Sequence, residues 1–317
     1  MGEADGTVRI EKWPTPGEVL LVLNKDENTV SYIDPADRRT LKVVSVDVNP
    51  HEVAITANGR KSYVTNSGGN TVSILDNNAM EETHRIEHEG FKFPHGVGLS
   101  GDESKLYIAS TYAGRVFVID TSSLKVLKTI NTHQDLVHMI YFDPKKERVL
   151  VPNIGSNNIT ILDTATDEVV THIPVGRGPE GAAVHPEGKQ LYVANQHDNN
   201  LSIIDLEDFS VQKKLRLGTV PIRLVFSPDG RYAFIPNRES GDLSIVDCSR
   251  PWEVKRIPLG IWPGGVVFSR DGSFAYVANN KTNDVSVIAV ESLKELGRID
   301  AGIHPDGIGI FASTTLV

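Results

Sequence analysis

The sequence predicts an all-β fold, a seven-bladed β-propeller with four antiparallel strands per blade, and three observations carry that prediction. One hairpin pattern returns along the chain: "YVTNSGGNTVSILD" at 63–76 has copies in "YIASTYAGRVFVID", "YVANQHDNNLSIID" and "YVANNKTNDVSVIA". In each copy two runs rich in β-branched residues flank a polar turn, as a hairpin requires. Two markers also share an interval of 42 to 44 residues. A polar residue precedes the hairpin turn at Asn24, Asn66, Ser110, Asn153, Asn195, Asn237 and Asn279. A second position opens a short apolar strand at Pro50, Pro94, Val137, Pro179, Pro221, Pro263 and Pro305. Finally, no stretch combines a helix cap with apolar residues at helical spacing.

The unit at 179–218 shows the four strands most plainly. "EGAAVHPEG" supplies the first strand and its turn, "KQLYVAN" the second, "NLSIIDLED" the third and "VQKKLRLG" the fourth. Four strands in roughly 42 residues match a propeller blade. The ends decide between a ring and an open array. Residues 18–47 supply strands two to four of a blade, and 304–311 supply a lone first strand. Together they complete one blade, and closing the ring removes an exposed sheet edge. We therefore expect a single domain: an extension at 1–17, seven blades over 18–311 and a tail at 312–317.

These hairpins resemble the repeats of YVTN-type β-propeller proteins, and the likeness spans residues 18–311. The resemblance implies seven blades and an often extracytoplasmic setting. It implies no single activity, because such proteins include lactonase-like, cofactor-associated and surface members.

Composition narrows the partners. The 317 residues carry a net charge of −9 and no Lys/Arg cluster, which disfavours nucleic acid and anionic membranes. No apolar run approaches the roughly 18 residues that span a bilayer. The chain is thus expected to be soluble, and cytoplasmic as it stands, unless an export signal has been removed. A single cysteine, Cys248, excludes an internal disulfide framework and a cysteine-based zinc site.

The copies differ just after the second marker. Around the ring that position reads His51, His95, His138, Glu180, Ile222, Gly264, Asp306. Ten histidines in 317 residues would put roughly 0.2 of one in such a column by chance. In a propeller this position lies where the first strands enter the central channel. Neutral imidazoles and a carboxylate converging there suit a divalent metal ion, whether iron, copper or zinc. His51, His95 and His138 are the candidate ligands, with Glu180 as a fourth ligand or an acceptor that orients an imidazole. Ile222 and Gly264 would leave positions open for water or substrate. Asp306 is expected across the ring, too far to share the ion, as a base or a holder of water. Arg223 and His197 complete the candidate catalytic set.

The loops of the same face carry Phe93, Leu136, Trp262, Tyr112, Arg115, Arg238 and His304, and with Ile222 they describe a small-molecule pocket with apolar walls. The leading expectation is therefore a metal-dependent enzyme acting on a small, partly apolar molecule. An imidazole-rich site with vacancies favours oxidation by iron or copper. A redox-inert ion would give hydrolysis or elimination instead. A binding propeller that offers its broad face to a protein partner is the competing expectation. Lactone hydrolysis rests on the family resemblance alone.

Overall fold

The computed structural model describes residues 13–14, 16–145 and 147–313. Most of the expected extension, 1–12 and 15, and of the tail, 314–317, lies outside the described residues. Seven four-stranded antiparallel sheets make up the described chain. Apart from one short 3-10 turn at Thr111–Ala113, the described elements are strands. None of the described helices is long and apolar enough to cross a membrane. The blade at 179–216 has strands Pro179–Val184, Gln190–Asn195, Asn200–Asp205 and Val211–Arg216, as the sequence indicates. The ring closes as expected, with Pro305–Ala312 pairing antiparallel to Glu18–Asn24.

The two sequence markers prove to be partners. Pro50 faces Asn66, Pro94 faces Ser110, Pro179 faces Asn195, Pro263 faces Asn279 and Pro305 faces Asn24. Isolated bridges join Val137 to Asn153 and Pro221 to Asn237. The marker asparagine is buried and ties its hairpin from within: Asn195 Nδ2 donates to Ser202 Oγ at 2.9 Å and to Asn200 Oδ1 at 2.8 Å. The same bond to a hydroxyl seven residues on recurs from Asn24, Asn66, Asn153, Asn237 and Asn279. Buried amides need such partners, so the spacing Asn-x6-Ser/Thr is a requirement of the fold. Only the Ser110 blade differs, with Phe117 where the hydroxyl would stand.

Blades hold one another through apolar wedges. Tyr107 meets Phe142 of the next blade edge-on at 5.7 Å, and Tyr192 meets Phe226 at 5.0 Å. Such aromatic pairs contribute about 0.5–1.5 kcal/mol beyond their buried area. Immediately after the second marker the register shifts, between Pro50 and Glu52, Pro94 and Val97, Pro179 and Ala182, and Pro263 and Val266. A bulge bends its strand and re-aims the side chains within it. His51, His95, Glu180 and Gly264 of the variable column lie inside these bulges.

Candidate active site at the channel mouth

Column residues of successive blades approach one another around the axis, most closely from Asp306 through the three histidines to Glu180. His51 and His95 have ring centroids 4.4 Å apart, and His95 stacks on His138 at 3.7 Å. His138 Nε2 lies 3.8 Å from Glu180 Oε1. On the other side a Cβ on Gly264 would stand 3.1 Å from Asp306 Oδ1 and 3.9 Å from Ile222 Cδ1. Asp306 Oδ2 then reaches His51 Nδ1 at 3.0 Å. Asp306 is therefore not across the ring from His51, as expected, but beside it. Ring closure makes the last first-strand a neighbour of the strand at Pro50–Ile55. Lys25 Nζ sits 3.2 Å from the same carboxylate oxygen.

One position further along, the column reads Glu52, Gly96, Met139, Gly181, Arg223, Gly265, Gly307. Its glycines let inner strands touch: a Cβ on Gly265 would lie 2.2 Å from the Asp306 carbonyl oxygen. Glu52, Met139 and Arg223 break that pattern, and two of the three are charged. Arg223 Nη1 donates to Glu180 Oε1 at 2.6 Å, and Nη2 bonds Glu52 Oε1, 171 residues away. Arg223 is thus a buried cation held between two carboxylates, with 7% of its side chain exposed. Glu52 and Lys25 were not singled out from the sequence. The signal for Glu52 and Arg223 was available, as charged residues in a glycine column.

Burial sets the protonation states. It holds the imidazoles of His95 and His138 well below their usual range, reinforced at His95 by the other two histidines and at His138 by Arg223. His51 is lowered by burial too, against the pull of Asp306. Burial pushes Glu52 up to about 7, only partly offset by Arg223, and raises Glu180 as well. Asp306 is also buried, but Lys25, then His51, hold it well below the carboxylate range. The mouth therefore presents three neutral imidazoles, an ionised Asp306, a fixed guanidinium and a carboxyl group that titrates near neutrality.

His95 Nδ1 is buried without a hydrogen bond, whereas His51 Nδ1 has the Asp306 carboxylate at 3.0 Å. His138 Nδ1 is 3.4 Å from the Thr111 hydroxyl. The donor chemistry suits a divalent ion, but the arrangement does not hold one. Imidazole lone pairs lie in the ring plane, so stacked rings set theirs side by side. Among the described residues no group of three or more His, Cys, Asp or Glu could hold a metal ion.

The remaining candidates surround this ring. Phe93 packs within 5.6 Å of His51, 6.0 Å of His95 and 5.0 Å of Tyr112. Leu136 and Trp262 are exposed at the rim. Arg238 and Lys281 lie 5.6 and 4.9 Å from the indole ring. His304 contacts Asp26 and Lys281 rather than the imidazole stack. His197 and Arg115 are exposed, and no contact joins either to the ring. A cleft lined by His185, Asp229 and Cys248, of about 560 Å³, lies among the turns of the other face.

The sequence model of the family described as "Lactonase, 7-bladed beta-propeller" matches residues 126–305, more than half of the chain. The chain belongs to that family. No curated protein matches it. Among solved structures it is similar to hydrazine synthase of Kuenenia stuttgartiensis, with 24% identity, a TM-score of 0.79 and coverage of 91% of this chain and 99% of that one. It is similar to the periplasmic gluconolactonase of Pseudomonas aeruginosa at 20% identity and TM-score 0.76, covering 93% and 99%. Dihydro-heme d1 dehydrogenase NirN, in complex with DHE, aligns at 14% identity and TM-score 0.70, covering 92% and 74%. At these identities the likeness is one of fold.

Proposed function

We propose that this lactonase-family propeller hydrolyses a small cyclic ester at the channel mouth. The observation that carries the reading is the buried cluster in which neutral imidazoles stand beside Arg223, Glu52 and Glu180. From sequence, the histidines and aromatics set this channel apart from the arginine and carboxylates expected of sugar-lactone propellers. In the folded ring, one arginine and three carboxylates stand among the histidines, which narrows that difference.

His51, steered by the Asp306 carboxylate, accepts a proton from water as the water oxygen attacks the acyl carbon. The Arg223 guanidinium lies in a site shielded from water, where it stabilises the oxyanion that develops. The ring C–O bond then breaks, and Glu52, which titrates near pH 7, is placed to protonate the departing alkoxide. Glu180 holds Arg223 in position.

The test is pH-stat hydrolysis of δ-valerolactone and glucono-δ-lactone. The parent should exceed the spontaneous rate, and Glu52→Gln and His51→Ala should each lower kcat roughly 100-fold or more with an unchanged far-ultraviolet spectrum. A parent without activity on either lactone, or variants as active as the parent, would reject the reading.

A second reading retains the divalent ion, because the buried His95 Nδ1 lacks a partner. It requires the rings to turn out of their stack. Elemental analysis of untagged protein decides: about one ion per chain, lost on replacing His95 with Ala, supports it, and metal-free protein that hydrolyses lactones removes it.

A further inference from the structure

The residue just before the second marker takes a left-handed backbone conformation in all seven blades, with φ of 61° at Asn49, 59° at Phe93, 54° at Leu136, 64° at Gly178, 59° at Val220, 60° at Trp262 and 55° at His304. Glycine and asparagine adopt this region readily, and histidine more often than most residues. Phe, Leu and Trp are poor occupants, and a β-branched valine is a strained one. The backbone is a property of the repeat, since Asn49 and Gly178 share it. The choice of side chain is not. Four blades carry a large apolar group where the fold itself would prefer Gly or Asn. Strain of this kind persists where the side chain has a use, and it concentrates around ligand sites.

One of these residues, Phe93, packs directly against the imidazole stack. Phe93 contacts His51 and His95, and Tyr112 packs against Phe93. Between the Tyr112 and Leu136 loops runs a groove of about 760 Å³, which Thr111 also lines. That size falls within the roughly 300–1,000 Å³ of small-molecule sites. The Thr111 hydroxyl, on the wall of this groove, lies 3.4 Å from His138 Nδ1, so the groove runs beside the stack. Leu136 is 38% and Tyr112 68% exposed, leaving their apolar faces available. On another arc of the rim Trp262 is flanked by Arg238 and Lys281.

We infer that Phe93, Leu136, Val220 and Trp262 form an apolar collar that selects the ligand: a molecule with a hydrocarbon chain or aromatic ring attached to the group that reaches the imidazoles, in preference to a polyhydroxylated one. This rests on placing the ligand site at the mouth, as the proposed function does. In hydrolysis the favoured substrate is an alkyl-substituted lactone rather than a sugar lactone.

The test uses the full chain carrying Leu136→Asn with Val220→Asn, and separately Phe93→Gly. Binding is read from the fluorescence of N-phenyl-1-naphthylamine and its displacement by δ-decalactone or glucono-δ-lactone. We expect δ-decalactone to displace the dye at least 10-fold more effectively. Affinity for the dye should fall at least 10-fold in both variants, while the paired Asn variant melts about 2 °C or more above the parent, as relief of strain requires. Unchanged dye affinity in the variants, or equal displacement by the two lactones, would overturn the collar. So would an Asn variant less stable than the parent. Binding is measured without turnover, so a chain that binds the dye at the collar but hydrolyses nothing keeps this inference and loses the hydrolase. One that hydrolyses lactones with collar variants unaffected does the reverse.

Discussion

Arg223 joins two carboxylates that would otherwise face each other in a buried space. Its Nη atoms serve Glu180 and Glu52 at once, and little of any of these side chains meets water. Removing one member of a buried ionic set leaves an uncompensated charge, which costs about 3–5 kcal/mol. Arg223→Met should lower the urea-derived stability by that amount, and adding Glu52→Gln should restore part of it. A loss under about 1 kcal/mol would show that the carboxylates find protons or water easily. At this scale the sequence shows which residues are unusual but not whom they meet. The His51, His95 and His138 column was legible because one repeat position lines up at the hub. The Glu52–Arg223 bond was not, because it joins residues 171 apart and no local spacing encodes it. His197 illustrates the opposite failure: its loop lies on the expected face, but its side chain is exposed and joins no contact in the ring.

Each hairpin carries its own internal fastening, and here the sequence was most transparent. The Asn marker recurs because its amide is buried with a hydroxyl seven residues on. Asn195→Ala removes the donor to both Ser202 and Asn200, and we expect a loss of about 1–3 kcal/mol. Thermal melts of Asn195→Ala and of Ser110→Asn separate this account from simple hairpin propensity. The second change should give no gain, because Phe117 offers no acceptor. Stabilisation by Ser110→Asn would argue that asparagine acts through the turn alone. The bulges after the second marker were less legible. They depend on pairing register with the neighbouring strand, and the same short run reads as regular strand in isolation. The rim residues are an intermediate case. Trp262 and Phe93 stood out as apolar loop residues, while their left-handed backbone is visible only in the fold.

At the scale of the whole molecule, the repeat interval and the two incomplete ends were enough to give seven blades and a closed ring, because closure pairs the first and last strands into one sheet. The same closure put Asp306 beside His51, a neighbour relation that reading along the chain had placed across the channel. The ring thus brings residues from every blade to one axis, and the account depends on that hub being chemically poised: neutral imidazoles, shielded from water, where a small molecule arrives. Nitrogen-15 histidine spectra, recorded through a pH titration and with δ-valerolactam as an unreactive lactone mimic, test this most directly. The account predicts that His51, His95 and His138 stay neutral as pH falls through 6.5, the ordinary histidine value, because burial lowers all three. It also predicts that δ-valerolactam shifts these three signals and leaves those of His84 and His172, on the outer strands, in place. Protonation of the three rings at or above pH 6.5, with signals indifferent to the lactam, would contradict it.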